Sequence, residues 1–294
     1  MTNPLALLLG VGIVLGFNFP LGSLAATAGI SAGLWAAVIS LGAGLTMFAA
    51  AHLFEPRPER VSGVLRFSVV SGLISYVIPN FLTFAAIPHI GGGLTAVMFA
   101  LSPVVTALLS IILKVRPPRL LGLAGIAVGL GGALVIITAR QATVAGGGAG
   151  WIVLAALIPV ALGLGNVYRT LAWPKGVGPM RLASLTNLAA VPPLLAAAWL
   201  AGGLDLSPLM AVPGLVALQL LASTVMFLMF FRLQQIGGPT YLSQIGYVAA
   251  VVGVAIGVSL MGETYPQQVW AGVAVVAAGI ALSTVSQVRT AAGR

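Results

Sequence analysis

Polar residues are so sparse along this chain that the gaps between them, rather than any alternation, set the first expectation. Apolar windows recur ten times, at 4 to 26, 32 to 54, 64 to 87, 93 to 114, 119 to 139, 151 to 172, 180 to 201, 211 to 234, 239 to 260 and 267 to 288. Each is long enough to cross the hydrocarbon of a bilayer, for which about 20 apolar residues suffice. Backbone groups in lipid must be paired within the protein, so such windows predict helices. A transmembrane barrel would show short alternating strands, whereas these segments are uniformly apolar and rich in Ala, Leu and Gly. The expected fold class is an all-α integral membrane protein with ten transmembrane helices.

Composition strengthens this picture. The 294 residues are 60% hydrophobic and 6% charged, with a mean hydropathy of +1.13, a balance that a soluble domain does not need. The absence of cysteine removes disulfides, thiolate nucleophiles and cysteine metal sites, and no cofactor, metal or catalytic residue is expected. Ala26, Thr27 and Ala28 imitate a signal-peptide cleavage site, yet no Lys or Arg precedes the first window and Pro20 interrupts it. The segment is therefore expected to stay as the first span.

The net charge of +9 raises the question of nucleic acid, but the cations are scattered singly among the connections rather than gathered in one patch. No nucleic-acid partner is expected; the partners are the lipid bilayer and a small-molecule substrate. If the N-terminus is cytoplasmic, twelve of the thirteen cations fall on the cytoplasmic side, including Arg57, Arg60, Lys114, Arg169, Lys175 and Arg232. Only Arg140 falls opposite, with Asp205 and Glu263. The positive-inside rule then places both termini in the cytoplasm of a multi-pass protein of the bacterial inner membrane.

The Gly-rich stretch VAGGGAG, 144 to 150, divides the spans five and five. It reads as a linker between a first repeat over 1 to 143 and a second over 151 to 294. IGGGLTAVMF (90 to 99) matches IGGPTYLSQI (236 to 245) at an offset of 146, GLAGIAVG (122 to 129) matches GVAVVAAG (272 to 279), and Asn18 aligns with Asn166. A repeat with an odd number of spans must start its second copy on the opposite side of the membrane. Two inverted five-helix repeats around a central cavity are thus expected, the construction of many secondary transporters.

The patterns GFNFPLGSLA, PHIGGGLTAVMFALSPVVTALLS and the second-half run ending in MGETYPQQVWAG resemble the drug/metabolite transporter superfamily, in its ten-helix branch with tandem EamA-type repeats. The family's Gly-Glu-x-x-x-x-x-Gln-x-x-Gly signature is similar to Gly262, Glu263, Gln268 or its neighbour, and Gly272; KVRPPRLLG in the first half has no Gly-Glu pair. Within the superfamily the chain is most similar to the bacterial aromatic amino-acid exporters. The resemblance implies export of amino acids, other metabolites or drugs.

Polar side chains inside membrane helices tend to face the bundle interior or a water-filled path. In the third span Tyr76, Asn80 and Thr83 fall at i, i+4 and i+7 on one helical face, with Pro79 adding a kink. Thr240, Gln244 and Tyr247 repeat that spacing in the ninth span, and the offset pairs Gln244 with Met98. Adding Ser102 of the fourth span, Met226 and Phe227 of the eighth, Asn18 of the first, and Asn166 and Tyr168 of the sixth gives a cavity of aromatic, Met, amide and hydroxyl groups. Such a lining suits a flat apolar solute with a small polar head. For any one of these residues the alternative is helix packing. The glycine spacings at Gly10, Gly12 and Gly16, at Gly125 and Gly129, and at Gly253 and Gly257 read as packing seams within the chain, and a functional monomer is expected.

No Asp or Glu lies near mid-span, so the buried carboxylate that a proton-coupled cation exporter would use has no candidate. His89 precedes the GGG of the external mouth and reads as a loop residue, with proton coupling as its alternative role. Arg169 and Arg232 lie about one turn from the cytoplasmic helix ends and are expected to snorkel, with contact to a substrate carboxylate as the alternative. The leading functional expectation is alternating-access export of neutral or zwitterionic metabolites, aromatic amino acids foremost. A multidrug exporter of lipophilic cations and an exporter of another amino-acid class stand as alternatives. An intramembrane hydrolase built on Ser259 would need a histidine beside it.

Overall fold

The computed structural model describes residues 3–56, 62–115, 119–141, 149–262 and 264–292. The stretch 144–150 taken as the linker lies largely outside the described residues, and so does Glu263 of the family signature. The chain is all-helical in the described residues. Its spans are α1 (Pro4–Thr27), α2 (Ala32–Phe54), α3 (Val64–Ile90), α4 (Gly92–Ile112), α5 (Leu120–Gln141), α6 (Gly150–Ala172) and α7 (Pro179–Leu200). Pro213–Ser243 then forms one hydrogen-bonded run that turns sharply at Gly238. The portion before the turn is α8 (213–237), the portion after it continues to Met261 as α9 (238–261), and α10 is Gln267–Ala292. A short helix, Ser207–Ala211, precedes α8, so the eighth span starts at Pro213, where a proline in the first turn lacks only an N–H that would have no partner anyway.

Exposed Leu45, Phe48, Leu120, Val153 and Leu221 face outward while equally apolar residues fill the interior. A helix apolar on all sides is what lipid on one face and protein on the other select.

The two halves pack as pseudo-symmetric inverted repeats. α2 and α7 lie against each other, with Ser184 Oγ donating to the Gly44 carbonyl at 2.8 Å. α5 and α10 form a glycine seam in which Gly129 and Gly279 leave no room for a Cβ, as Gly125 and Gly132 also do not. α1 meets α9 where Gly12 and Gly16 receive Val248 and Val252, and its counterpart pair, α6 and α4, meets where Gly163 receives Val105. α4 crosses α9 at Gly246 and Gly253. Exchanging each span of one half for its counterpart leaves this set of neighbours unchanged. The small residues do the work expected of them, letting helices approach closely within one chain.

The α3–α4 and α8–α9 connections share one device. Gly91 (φ 78, ψ 157) and Gly238 (φ 74, ψ 178) hold backbone conformations that side chains rarely tolerate, so glycine is what permits each tight reversal. Gly238 lies 147 residues after Gly91, one more than the offset that the sequence match gave. Both ends of the α2–α7 pair are tied. Glu55 accepts from the Met180 and Arg181 N–H groups at 2.7 and 3.1 Å, capping α7, and Ser31 Oγ donates to the Gly203 carbonyl at 2.6 Å at the other end.

Candidate functional site

Where the halves meet, a partly open cavity is lined by α1, α2, α3, α4, α6, α8 and α9. Its α3 wall is shaped by a wide turn. Leu73–Val77 is π-helical, with the Ile78 N–H reaching five residues back to the Leu73 carbonyl. Pro79 follows directly; it has no N–H to give, and its ring would crowd the carbonyl of Ser75 in a regular turn. Such wide turns are frequent at functional sites, and here the extra residue re-aims the face. Ser75, Tyr76, Asn80 and Phe84 line the cavity.

Thr83, expected beside Asn80, does not. Its hydroxyl donates to the Pro79 carbonyl at 2.6 Å, a local back-bond that serves its own helix. Pro79 itself is buried in the wall rather than on the cavity surface.

On α1 and α8 the expected Asn18, Met226 and Phe227 are lining residues, joined by Leu15 and Phe230. Asn18 is held from behind. Gln219 Nε2 donates to Asn18 Oδ1 at 2.9 Å and lies 2.8 Å from Ser223 Oγ, while Asn18 Nδ2 lies 3.5 Å from the Met226 sulfur. Tyr76 and Phe227 meet edge to face with ring centroids 4.9 Å apart, the geometry that aromatic quadrupoles favour.

α4 and α9 differ from expectation for a common reason. α4 tightens at Ala100 and Leu101, whose N–H groups bond three residues back, and α9 does the same at Gln244. Each break changes the register between the residues on its two sides, and Phe99, Ser102, Ser243 and Ile245 line the cavity while Met98 and Gln244 are buried off it. Ser102 Oγ donates to the Ser243 carbonyl at 3.3 Å, tying the two breaks together. Tyr247 also faces elsewhere: its hydroxyl donates to the Ile126 carbonyl at 3.0 Å, and its ring covers Gly129 of α5.

On α6 the expected Asn166 lines the cavity with Leu162, but Tyr168 points away and stacks on Phe67 at 6.2 Å. The largest departure is Arg169. It does not snorkel; it is fully buried, 0% exposed. Nη2 donates to Asn166 Oδ1 at 2.6 Å, Nε to Gln234 Oε1 at 3.4 Å, and the guanidinium carbon lies 4.9 Å from the Phe230 ring centre. Gln234 Nε2 is in turn bonded to Thr170 Oγ1 at 2.7 Å. Two amides and a phenyl ring surround this cation, and none of these partners is an acid. Arg232, by contrast, is half-buried and donates to Gln235 Oε1 at 2.7 Å.

His89 stacks on Trp151 at 4.1 Å, joining the end of α3 to the start of α6. Ser259 back-bonds to the Ala255 carbonyl at 2.8 Å and has no histidine partner among the described residues, so the arrangement a hydrolase would need is not formed there. Among the described residues no group of three or more His, Asp and Glu is gathered in a way that could hold a metal.

The family is decided by two matches in one chain. A model of the EamA-like transporter family matches residues 3–138 and again 148–285. The chain belongs to the EamA-like transporter family. It carries two tandem EamA repeats. A solved structure described only as a crystal structure of a protein has 20% sequence identity and a TM-score of 0.62, covering 93% of this chain and 97% of its own; that likeness concerns the fold alone. No curated protein matches the sequence. As an EamA family member the chain is a multi-pass membrane transporter of small molecules.

Proposed function

We propose that this EamA family member exports small neutral or zwitterionic metabolites, aromatic amino acids foremost, by alternating access between its inverted repeats. The observation that carries the reading is the cavity wall. It sits between the two repeats and combines phenyl rings, Met226 and the amides of Asn18, Asn80 and Asn166, with no carboxylate among its lining residues. Aromatic faces accept a flat ring, the amides and hydroxyls a polar head. Asn18, Tyr76, Asn80, Ser102, Asn166, Met226 and Phe227 are proposed as solute contacts, and the first repeat is taken to span 1 to 143, the second 151 to 294. Both termini are proposed to lie in the cytoplasm and the protein in a bacterial inner membrane; the distribution of cations supports the orientation. A single chain encloses the cavity, which supports a functional monomer.

The test is flux. Proteoliposomes loaded with labelled phenylalanine or tryptophan release or exchange it only when the protein is present, and Asn80→Leu lowers the rate while leaving membrane insertion intact. No protein-dependent flux of either solute overturns the substrate assignment; protection of cells against lipophilic cations without amino-acid flux moves it to the multidrug class.

A further inference from the structure

Three polar atoms beside the cavity are buried and lack any hydrogen-bond partner: Arg169 Nη1, Ser75 Oγ and the Tyr76 hydroxyl. Ser75 and Tyr76 are on the cavity wall, and Arg169 sits one side chain behind it, between the lining residues Asn166 and Phe230. Gly165 brings two of these atoms together. A Cβ at that position would overlap Ser75 Oγ and lie 3.3 Å from Arg169 Nη1, so glycine is what lets the hydroxyl sit this near the guanidinium. The third atom belongs to the next residue along the same wall, Tyr76. All three groups can donate, and the Arg169 guanidinium cannot accept at all.

A buried cation without an acidic partner is costly, and buried polar atoms are ordinarily satisfied. An oxyanion beside Arg169 and Ser75 would supply the acceptor these donors lack, and a planar guanidinium is suited to a carboxylate. Aromatic side chains, Phe84, Phe99 and Phe227, make up much of the rest of the wall.

We infer that Arg169, with Ser75 and Tyr76, is the subsite for the carboxylate of the transported solute, so that the substrate class is aromatic or apolar carboxylates rather than lipophilic cations. This rests on the reading of the cavity as the transport site. A solute enters with its ring among the phenyl groups and its carboxylate toward Arg169, and Asn166 and Gln234 hold the guanidinium in place.

The experiment uses the full chain, both in detergent for binding and in proteoliposomes for flux, with four probes: phenylalanine, 3-phenylpropionate, phenylalaninamide and tetraphenylphosphonium. Phenylalanine and 3-phenylpropionate bind, and phenylalaninamide binds at least about tenfold more weakly, the scale of one charge-assisted hydrogen-bond pair. Arg169→Gln weakens the two carboxylates by about ten- to a hundredfold and leaves the amide unchanged, and Arg169→Lys restores part of the loss. Ser75→Ala and Tyr76→Phe each weaken carboxylates a few-fold.

An unchanged carboxylate-to-amide ratio in Arg169→Gln overturns the subsite, as does tightest binding of tetraphenylphosphonium. If Arg169→Gln yields no folded protein, an unchanged ratio in both Ser75→Ala and Tyr76→Phe overturns it equally. The two proposals fail separately. Arg169-dependent binding of 3-phenylpropionate without phenylalanine flux removes the amino-acid assignment and keeps the subsite; phenylalanine flux with an unaltered KM in Arg169→Gln does the reverse.

Discussion

Asn18 and Asn166 occupy matching places in the two repeats, yet their surroundings differ in one decisive respect. Asn18 sits in a neutral network with Gln219, Ser223 and Met226, and three residues on is Leu21, a buried hydrocarbon side chain. Three residues beyond Asn166 is Arg169, fully buried and bonded to it. Duplication preserved the helix, its glycine contacts and the amide, while the charge stands on one side only. A pseudo-symmetric cavity therefore has a polar direction, which a transporter needs in order to hold one end of a solute differently from the other.

The largest expected effect comes from forcing the symmetry the other way. Leu21→Arg buries a second guanidinium with no built partner, and an uncompensated buried charge costs roughly 3–5 kcal/mol. Loss of monodisperse protein, or a fall of many degrees in the thermal midpoint, is the expected result; a normal midpoint would mean that the first repeat also offers a hidden partner.

Arg169→Leu makes the second repeat copy the first. Replacing a poorly paired buried charge by a hydrocarbon is often neutral or stabilising, so the thermal midpoint should hold or rise while solute flux falls by about tenfold or more. A drop in both would show that the cation is there for packing. Next in size is the comparison of the two amides. Asn166→Ala removes the shortest bond of a charged group, about 1.5–3 kcal/mol, whereas Asn18→Ala removes neutral contacts worth about 1 kcal/mol. Chemical or thermal denaturation of the two variants side by side gives the difference, and equal losses would erase the distinction between the two sites.

The smallest effect is expected at Tyr247, whose hydroxyl bonds the Ile126 carbonyl away from the cavity. Tyr247→Phe should cost about 1 kcal/mol or less and leave flux unchanged; reduced flux with intact stability would return this residue to the transport path.

The fold was legible in the sequence because its cause is one-dimensional. Lipid imposes length and polarity on each segment separately, so the ten windows, the glycine seams and the five-and-five division could be read off the chain. Boundaries moved by only a few residues, as at Pro213. Seven of the expected cavity residues do line it: Asn18, Tyr76, Asn80, Ser102, Asn166, Met226 and Phe227. The others missed for reasons that a regular helical wheel does not contain. The wide turn at Leu73–Val77 brought Ser75 and Phe84 to the surface in place of Thr83, and the breaks at Ala100 and Gln244 exchanged Met98 and Gln244 for Phe99, Ser243 and Ile245. Pro79 marked where regularity fails in the third span, without giving the direction of the shift.

Arg169 shows the same limit more sharply. Its position near a helix end suggested a side chain reaching water, whereas Arg232, placed alike, is half-buried and bonds Gln235. Whether an arginine snorkels depends on what packs around it: Gln234 and Phe230 come from α8 and close over Arg169. The sequence alone determined that the chain spans a membrane in two related halves, because hydrophobic length and repetition are properties of the chain read in order. Only the tertiary structure decided which side chains share the cavity and which cation is trapped beside it, because those depend on local helix winding and on neighbours far away along the chain.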